Sequence, residues 1–219
     1  MKLYLIGGLG ADERVFKYLK LNNETQVIHW IKPEPDEELK DYAKRLLNQI
    51  NQNEEFGLLG VSFGGIIANE LTKLVQPQIL ILISSVETSS QLPRKYVSIG
   101  KTRILNIIPD SLIKPPNHLL GFLFGAQNKE LLKQIIRDTN PGFIRWALNS
   151  IIKWSNEEHL INTVRIHGTN DILIPLKGNA IKVKDGGHFM IVDKAKEISN
   201  LINEQMDMQG NIKQATLNE

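Results

Sequence analysis

Phe56-Gly57-Leu58-Leu59-Gly60-Val61-Ser62-Phe63-Gly64-Gly65-Ile66-Ile67-Ala68 is the stretch on which the fold turns. Residues 56–59 form a short apolar run of strand length, suited to a strand buried on both faces. Residues 66–75 carry helical spacing. The junction reads Gly-x-Ser-x-Gly, a loose pattern that gains meaning only where it joins a strand to a helix, as it does here. A serine held on so sharp a turn needs neighbours without bulk two residues to either side, and Gly60 and Gly64 meet that need. Gly65 lets the helix lie close to the sheet. The N-terminus of that helix points its dipole at the serine, where it favours negative charge. A phosphate cradle fits less well. The Gly-x-Gly-x-x-Gly of a dinucleotide site and the Gly-Lys-Ser/Thr of a P-loop are both absent. Ser62 is the candidate nucleophile.

Outward from this turn, further strands read at 3–6, 26–31, 78–83, 164–167 and 180–183, with helical patterns at 12–20, 36–50 and 189–206. Strands alternating with helices imply right-handed crossovers and a mostly parallel sheet of about six strands. Residues 90–160 break the alternation. They contain helical patterns at 119–124, 129–138 and 141–154, separated by Pro109, Pro115-Pro116 and Pro141-Gly142, and read as a helical lid inserted between two strands. The core is then 1–89 and 161–208. Residues 209–219 are polar and aperiodic, and are expected to be a disordered tail.

A serine hydroxyl needs a base within hydrogen-bond reach, and the base needs an orienting carboxylate. The chain order that accompanies a Gly-x-Ser-x-Gly elbow is Ser, then Asp or Glu, then His. Of five histidines, His29 precedes Ser62, His118 and His159 lie in or beside the insertion, and His167 ends a strand. His188 sits in Asp185-Gly186-Gly187-His188-Phe189, between the last strand and the last helix, and is the candidate base. Asp171, in His167-Gly168-Thr169-Asn170-Asp171, is the candidate acid, with Asp185 and Glu87 as rivals. Both assigned residues follow the C-terminal ends of strands, the edge at which open α/β sheets bind ligands. Acyl transfer also needs two backbone N–H groups for the developing oxyanion. The residue after the nucleophile, Phe63, supplies one. Leu9, in Gly7-Gly8-Leu9-Gly10 after the first strand, supplies the other. Gly8, Trp146 and Phe189 are candidates for the substrate pocket. No metal and no cofactor is called for.

Composition narrows the classes. A net charge of +2 over 219 residues gives no basis for nucleic-acid binding. The absence of cysteine excludes disulfides, thiolate metal sites and a Cys nucleophile, and suits a reducing cytoplasm. No apolar stretch approaches the ~20 residues that cross a bilayer. The apolar start is broken at Gly7-Gly8 and so reads as a strand rather than a secretion signal. A cytoplasmic protein is expected.

Gly7-Gly8-Leu9-Gly10, the Ser62 turn, His167-Gly168-Thr169-Asn170-Asp171 and Gly186-Gly187-His188-Phe189 together resemble the α/β-hydrolase superfamily over residues 2–203. Within it, the chain is similar to small lidded carboxylesterases of the kind that includes pimeloyl-carrier-protein methyl esterases. The resemblance implies an α/β-hydrolase fold, here without the usual first hairpin, and a Ser62–His188–Asp171 triad. Two departures stand out: Gly7-Gly8 replaces the usual His-Gly of the first loop, and the usual first hairpin is missing. Serine at the elbow excludes an aspartate nucleophile.

The lid carries ten Lys/Arg against three acidic residues between 90 and 153, or +7, leaving about −5 for the rest. Such a surface could steer an acidic acyl carrier protein or an anionic substrate, or be simply solvated charge. Phe143, Trp146, Ala147, Ser150 and Trp154 share a helical face that either packs the lid or lines an acyl pocket. The leading expectation is hydrolysis of a carboxylic ester or thioester through an acyl-enzyme. Amide or C–C hydrolysis, a lyase step on the same triad, and a non-catalytic binding protein are the alternatives.

Overall fold

The computed structural model describes residues 1–94, 96, 98, 105, 107–160 and 162–217. The lid cations Lys95, Lys101 and Arg103 lie outside the described residues. Six parallel strands form one sheet in the order β2-β1-β3-β4-β5-β6. They are β1 (Lys2–Ile6), β2 (Thr25–Ile28), β3 (Phe56–Val61), β4 (Leu80–Ile83), β5 (Thr163–Gly168) and β6 (Ile181–Val183). The apolar runs foresaw the central strands well, because β3 and β4 are buried at every residue. The register places Ile6 opposite Gly60 and Val61 opposite Ile83. The loops after β1, β3 and β4 therefore leave the sheet side by side.

The helices whose bounds the described residues give are α1 (Leu39–Leu46), α2 (Phe63–Thr72), α3 (Asn117–Phe124), α4 (Lys129–Asp138), α5 (Pro141–Lys153), α6 (Met190–Asp193) and α7 (Ala195–Leu217). One apolar layer, including Tyr42, Leu46, Phe63, Ile67 and Leu71, packs on one face of the sheet. A second, including Leu3, Leu5, Leu59, Ile81, Ile198 and Ile202, covers the other. Helices α3, α4 and α5 fall between β4 and β5, and each contributes residues to a cavity that Ser62 also lines.

Local departures from the sequence pattern have identifiable causes. Residues 12–20 form only one 3₁₀ turn, Glu13–Val15. Side chains pin it: Asp12 caps the Arg14 N–H, and the Arg14 guanidinium bridges Asp12 and Asp138 at 2.8 and 2.9 Å. Strand β2 stops at Ile28 rather than Ile31, and Trp30 turns inward to donate its indole N–H to Ala11 O at 2.9 Å. Helix α1 starts at Leu39 because Asp36 is in the left-handed region (φ 56°). Helix α7 runs through Leu217. The stretch expected to be a tail therefore continues the helix. No proline interrupts it.

Candidate active site

The turn after β3 holds Ser62 at φ 53°, ψ −120°, a conformation costly for a residue with a side chain. Surrounding bonds fix it. The Ser62 N–H donates to Ile83 O at 2.9 Å, and the Ser62 carbonyl accepts from Gly65 N–H at 2.9 Å and from Ser85 Oγ at 2.7 Å. The glycines are required by approach. A Cβ on Gly64 would stand 2.2 Å from Gly7 O, and one on Gly60 2.4 Å from Gly65 Cα. The serine is thus pressed forward, out of the sheet edge, by a helix that cannot retreat.

His188 arrives on the β6–α6 loop with its Nε2 2.7 Å from Ser62 Oγ and its Nδ1 2.8 Å from Asp171 Oδ2. A carboxylate only accepts, so Nδ1 carries the proton and Nε2 is the bare acceptor facing the serine hydroxyl. The loop is held by the lid. Phe189 N–H donates to Phe124 O at 3.0 Å, and the Phe124 ring meets the His188 ring edge-on with centroids 5.8 Å apart.

Asp171 follows β5 and its side chain is wholly buried. Burial by itself would push the carboxyl upward. Hydrogen bonds from His167 and His188, the charge of His188 and the Ile174 N–H outweigh it, and the group is held well below the usual carboxylate range. Oδ1 accepts the N–H groups of Leu173 and Ile174 at 3.0 and 2.9 Å. The rivals are occupied elsewhere. Glu87 accepts Leu160 N–H at 3.0 Å and pairs with His159, while the Asp185 backbone shapes the turn at φ 56°.

The first loop lies directly against Ser62: a Cβ on Gly8 would come within 3.5 Å of Ser62 Cβ. Among the described residues, neither Leu9 N–H nor Phe63 N–H donates to any acceptor. Phe63 opens α2, whose first amides have no intrahelical partner.

Ser62 and His188 face a cavity of about 320 Å³. Gly8, Leu9, Phe63 and Phe189 line it. Trp146 does not, and that expectation is corrected. It packs on Tyr42, Phe143 and Phe63 at centroid distances of 4.3, 5.7 and 5.9 Å and donates its indole N–H to Glu37 O at 2.9 Å. Trp154, on the same side, donates to Glu70 at 2.8 Å. The aromatic face of α5 is therefore the lid's anchor. The cavity takes the other face, Ile144, Leu148, Ile151 and Ile152, at positions i, i+4, i+7 and i+8. Leu132, Ile135 and Ile136 of α4 complete the aliphatic wall. This aliphatic spacing was present in the sequence beside the louder aromatic one. Tyr96, which also lines the cavity, had no sequence signal; its hydroxyl donates to Leu173 O at 2.9 Å, and burial pushes it up to about 12.

No protein-family model matches the sequence, and no curated protein does. Solved structures do match. MenH from S. aureus aligns with TM-score 0.70 and 17% identity, over 96% of this chain and 94% of its own. A bromoperoxidase from Bacillus anthracis aligns with TM-score 0.69 and 15% identity over 94% and 91%. A thermophilic esterase from Thermogutta terrifontis aligns with TM-score 0.64 and 15% identity over 95% and 90%. At these identities the likeness is one of fold. The chain has the α/β-hydrolase fold, with a six-stranded parallel sheet and a helical lid.

Proposed function

We propose that this protein is a serine hydrolase that cleaves a carboxylic ester or thioester through an acyl-enzyme. The observation that carries the reading is the continuous chain Ser62 Oγ–His188–Asp171, at 2.7 and 2.8 Å, opening onto an apolar cavity. In this reading Ser62 attacks the acyl carbon while His188 Nε2 takes its proton. The oxyanion that forms is held by the free N–H groups of Leu9 and Phe63, and His188 returns the proton to the leaving group. Water then repeats the sequence and releases the acid. Asp171 keeps the imidazole in the productive tautomer throughout. The likeness in fold to an esterase agrees with this chemistry.

The cavity indicates the acyl group. Its walls are aliphatic, and apart from Ser62 and His188 only Tyr96 among its described lining residues carries a polar side-chain group. An uncharged acyl chain fits such walls, and a free carboxylate at its far end would be left unpaired. At about 30 Å³ for a water-sized group, the volume holds on the order of ten carbon atoms. The lid supports a finer reading of the leaving group. Lys114, Lys133 and Arg137 border a polar hollow that shares Pro115 and Ile136 with the cavity. An acidic acyl carrier protein would dock there, in the cytoplasm that the cysteine-free composition suits. No helix among the described residues is long and apolar enough to cross a membrane.

A series of p-nitrophenyl esters of rising chain length tests the proposal with wild type, Ser62→Ala and His188→Ala. Cleavage is expected in the wild type alone, with an optimum near ten carbons, and a fluorophosphonate is expected to label Ser62. A wild type that cleaves no ester and takes no label refutes the hydrolase reading. Reversing Lys114, Lys133 and Arg137 is expected to raise KM for an acyl-carrier substrate but not for a small ester; equal effects on both would remove the carrier.

A further inference from the structure

His167 is a fully buried histidine that the proposed reaction does not use. Its Nε2 lies 2.7 Å from Ile174 O and 3.4 Å from Asp171 Oδ2, and among the described residues nothing hydrogen-bonds its Nδ1. A carbonyl oxygen only accepts, so the proton sits on Nε2, donated mainly to Ile174 and shared with Asp171. Oδ2 is the same oxygen that accepts from His188. Oδ1 is filled separately, by two backbone N–H groups. Each carboxylate oxygen therefore has two donors, and on Oδ2 the two are histidines on either side of one charge.

We propose that His167 is a positioning residue that acts through Asp171: it fixes the acid loop by holding Ile174 and, by sharing Oδ2, limits how strongly the carboxylate holds a protonated His188. A base gripped too firmly in its protonated form is a poor base in the next cycle. The side chain reaches both acceptors from the penultimate residue of β5, so its place is set by the sheet. The groups around the carboxylate are few. Tyr96, on the chain after β4, faces it and bonds Leu173 O, Ser62 closes the far end of the chain, and α3 offers the Phe124 ring. Among the described residues the ion pairs of Asp171 are with His167 and His188, and none is with a lysine or arginine.

The sign of the effect separates this role from a purely structural one. Removing the His167 donor leaves more charge on Oδ2, so His188 holds its proton to higher pH. A merely loosened loop would weaken the Asp171–His188 bond and move the titration to lower pH. A full hydrogen bond to a charged group corresponds to on the order of one pH unit, and the longer, shared contact to roughly half of that.

The inference rests on the triad reading, and the experiment keeps the two apart by following His188 directly, with NMR on histidine-labelled protein, which needs no turnover. In His167→Met we expect His188 to titrate about half a unit higher than in wild type. Ester cleavage at a pH on the acidic limb then falls about threefold. His167→Gln, which restores an N–H donor at a similar reach, should return both toward wild type. An unmoved or lowered His188 titration in a folded His167→Met overturns the inference. If that variant does not fold, ¹⁵N shifts of the wild type decide: a proton on His167 Nε2 supports the role, and one on Nδ1 overturns it. A wild type inert toward esters and fluorophosphonate would refute the hydrolase reading and leave the His188 titration test standing.

Discussion

Asp171→Asn is the perturbation for which the structure gives the most definite outcome. Oδ1 accepts two backbone N–H groups, from Leu173 and Ile174, at 3.0 and 2.9 Å. Neither donor can reverse, so the amide oxygen must occupy this position and the NH₂ group must occupy that of Oδ2. There it faces His188 Nδ1, now 2.8 Å from a donor instead of an acceptor. The imidazole relieves the clash by moving its proton to Nε2, which then donates to Ser62 Oγ and can no longer take the serine proton. The base is lost through its tautomer while the geometry survives. Such a change lowers kcat by about ten-thousandfold, or roughly 5.5 kcal/mol of transition-state stabilisation. The same NH₂ opposes the His167 N–H, and a charge-assisted bond is lost, so stability should fall by about 2 kcal/mol and Tm by about 4–8 °C. Ester hydrolysis gives kcat, fluorophosphonate labelling gives nucleophile reactivity, and circular dichroism confirms folding. A folded variant that keeps more than about a tenth of wild-type kcat would refute the argument that Asp171 fixes the His188 tautomer.

Acid stability should depend on the same carboxylate. Its folded-state pKa is depressed, so its contribution is present above the unfolded value of about 4 and is lost as pH falls through the lower folded value. Denaturant midpoints of wild type and Asp171→Asn should therefore begin to converge as pH falls below about 4 and continue to do so toward the lower folded value. Trp146→Ala should behave as a lost anchor, costing about 3 kcal/mol and about 6–12 °C in Tm, with the preferred ester chain length unchanged; a shifted preference at unchanged Tm would return Trp146 to the pocket. Leu148→Trp should do the reverse, lowering kcat/KM for ten-carbon esters at least about tenfold while acetate esters change less than about threefold. Equal losses on both would mean that Leu148 does not bound the acyl chain.

These outcomes also show which features a sequence can carry. Ser62, Asp171 and His188 were legible because their positions are topological. Each follows the end of a strand of one sheet, and parallel pairing brings those ends to one edge whatever the loops do. The glycines at 60 and 64 were legible because close approach leaves a residue type no alternative. The lid was different. Its α5 helix is apolar on two faces, Phe143-Trp146-Ala147 and Ile144-Leu148-Ile151-Ile152. Periodicity reports that both are buried but not against what, because an aliphatic wall around a cavity and an aromatic seam on a core have the same spacing. The larger side chains drew the pocket assignment, yet the indole N–H of each tryptophan needed a fixed acceptor, and the core supplied one at Glu37 O and one at Glu70. The cavity was left to side chains with no polar atom to satisfy. His167 was invisible for a related reason. It ends a strand, as an ordinary core histidine would, and only its distance to an oxygen already claimed by His188 sets it apart. Candidate residues placed by chain order can be found in a sequence; a candidate marked only by a shared atom requires coordinates.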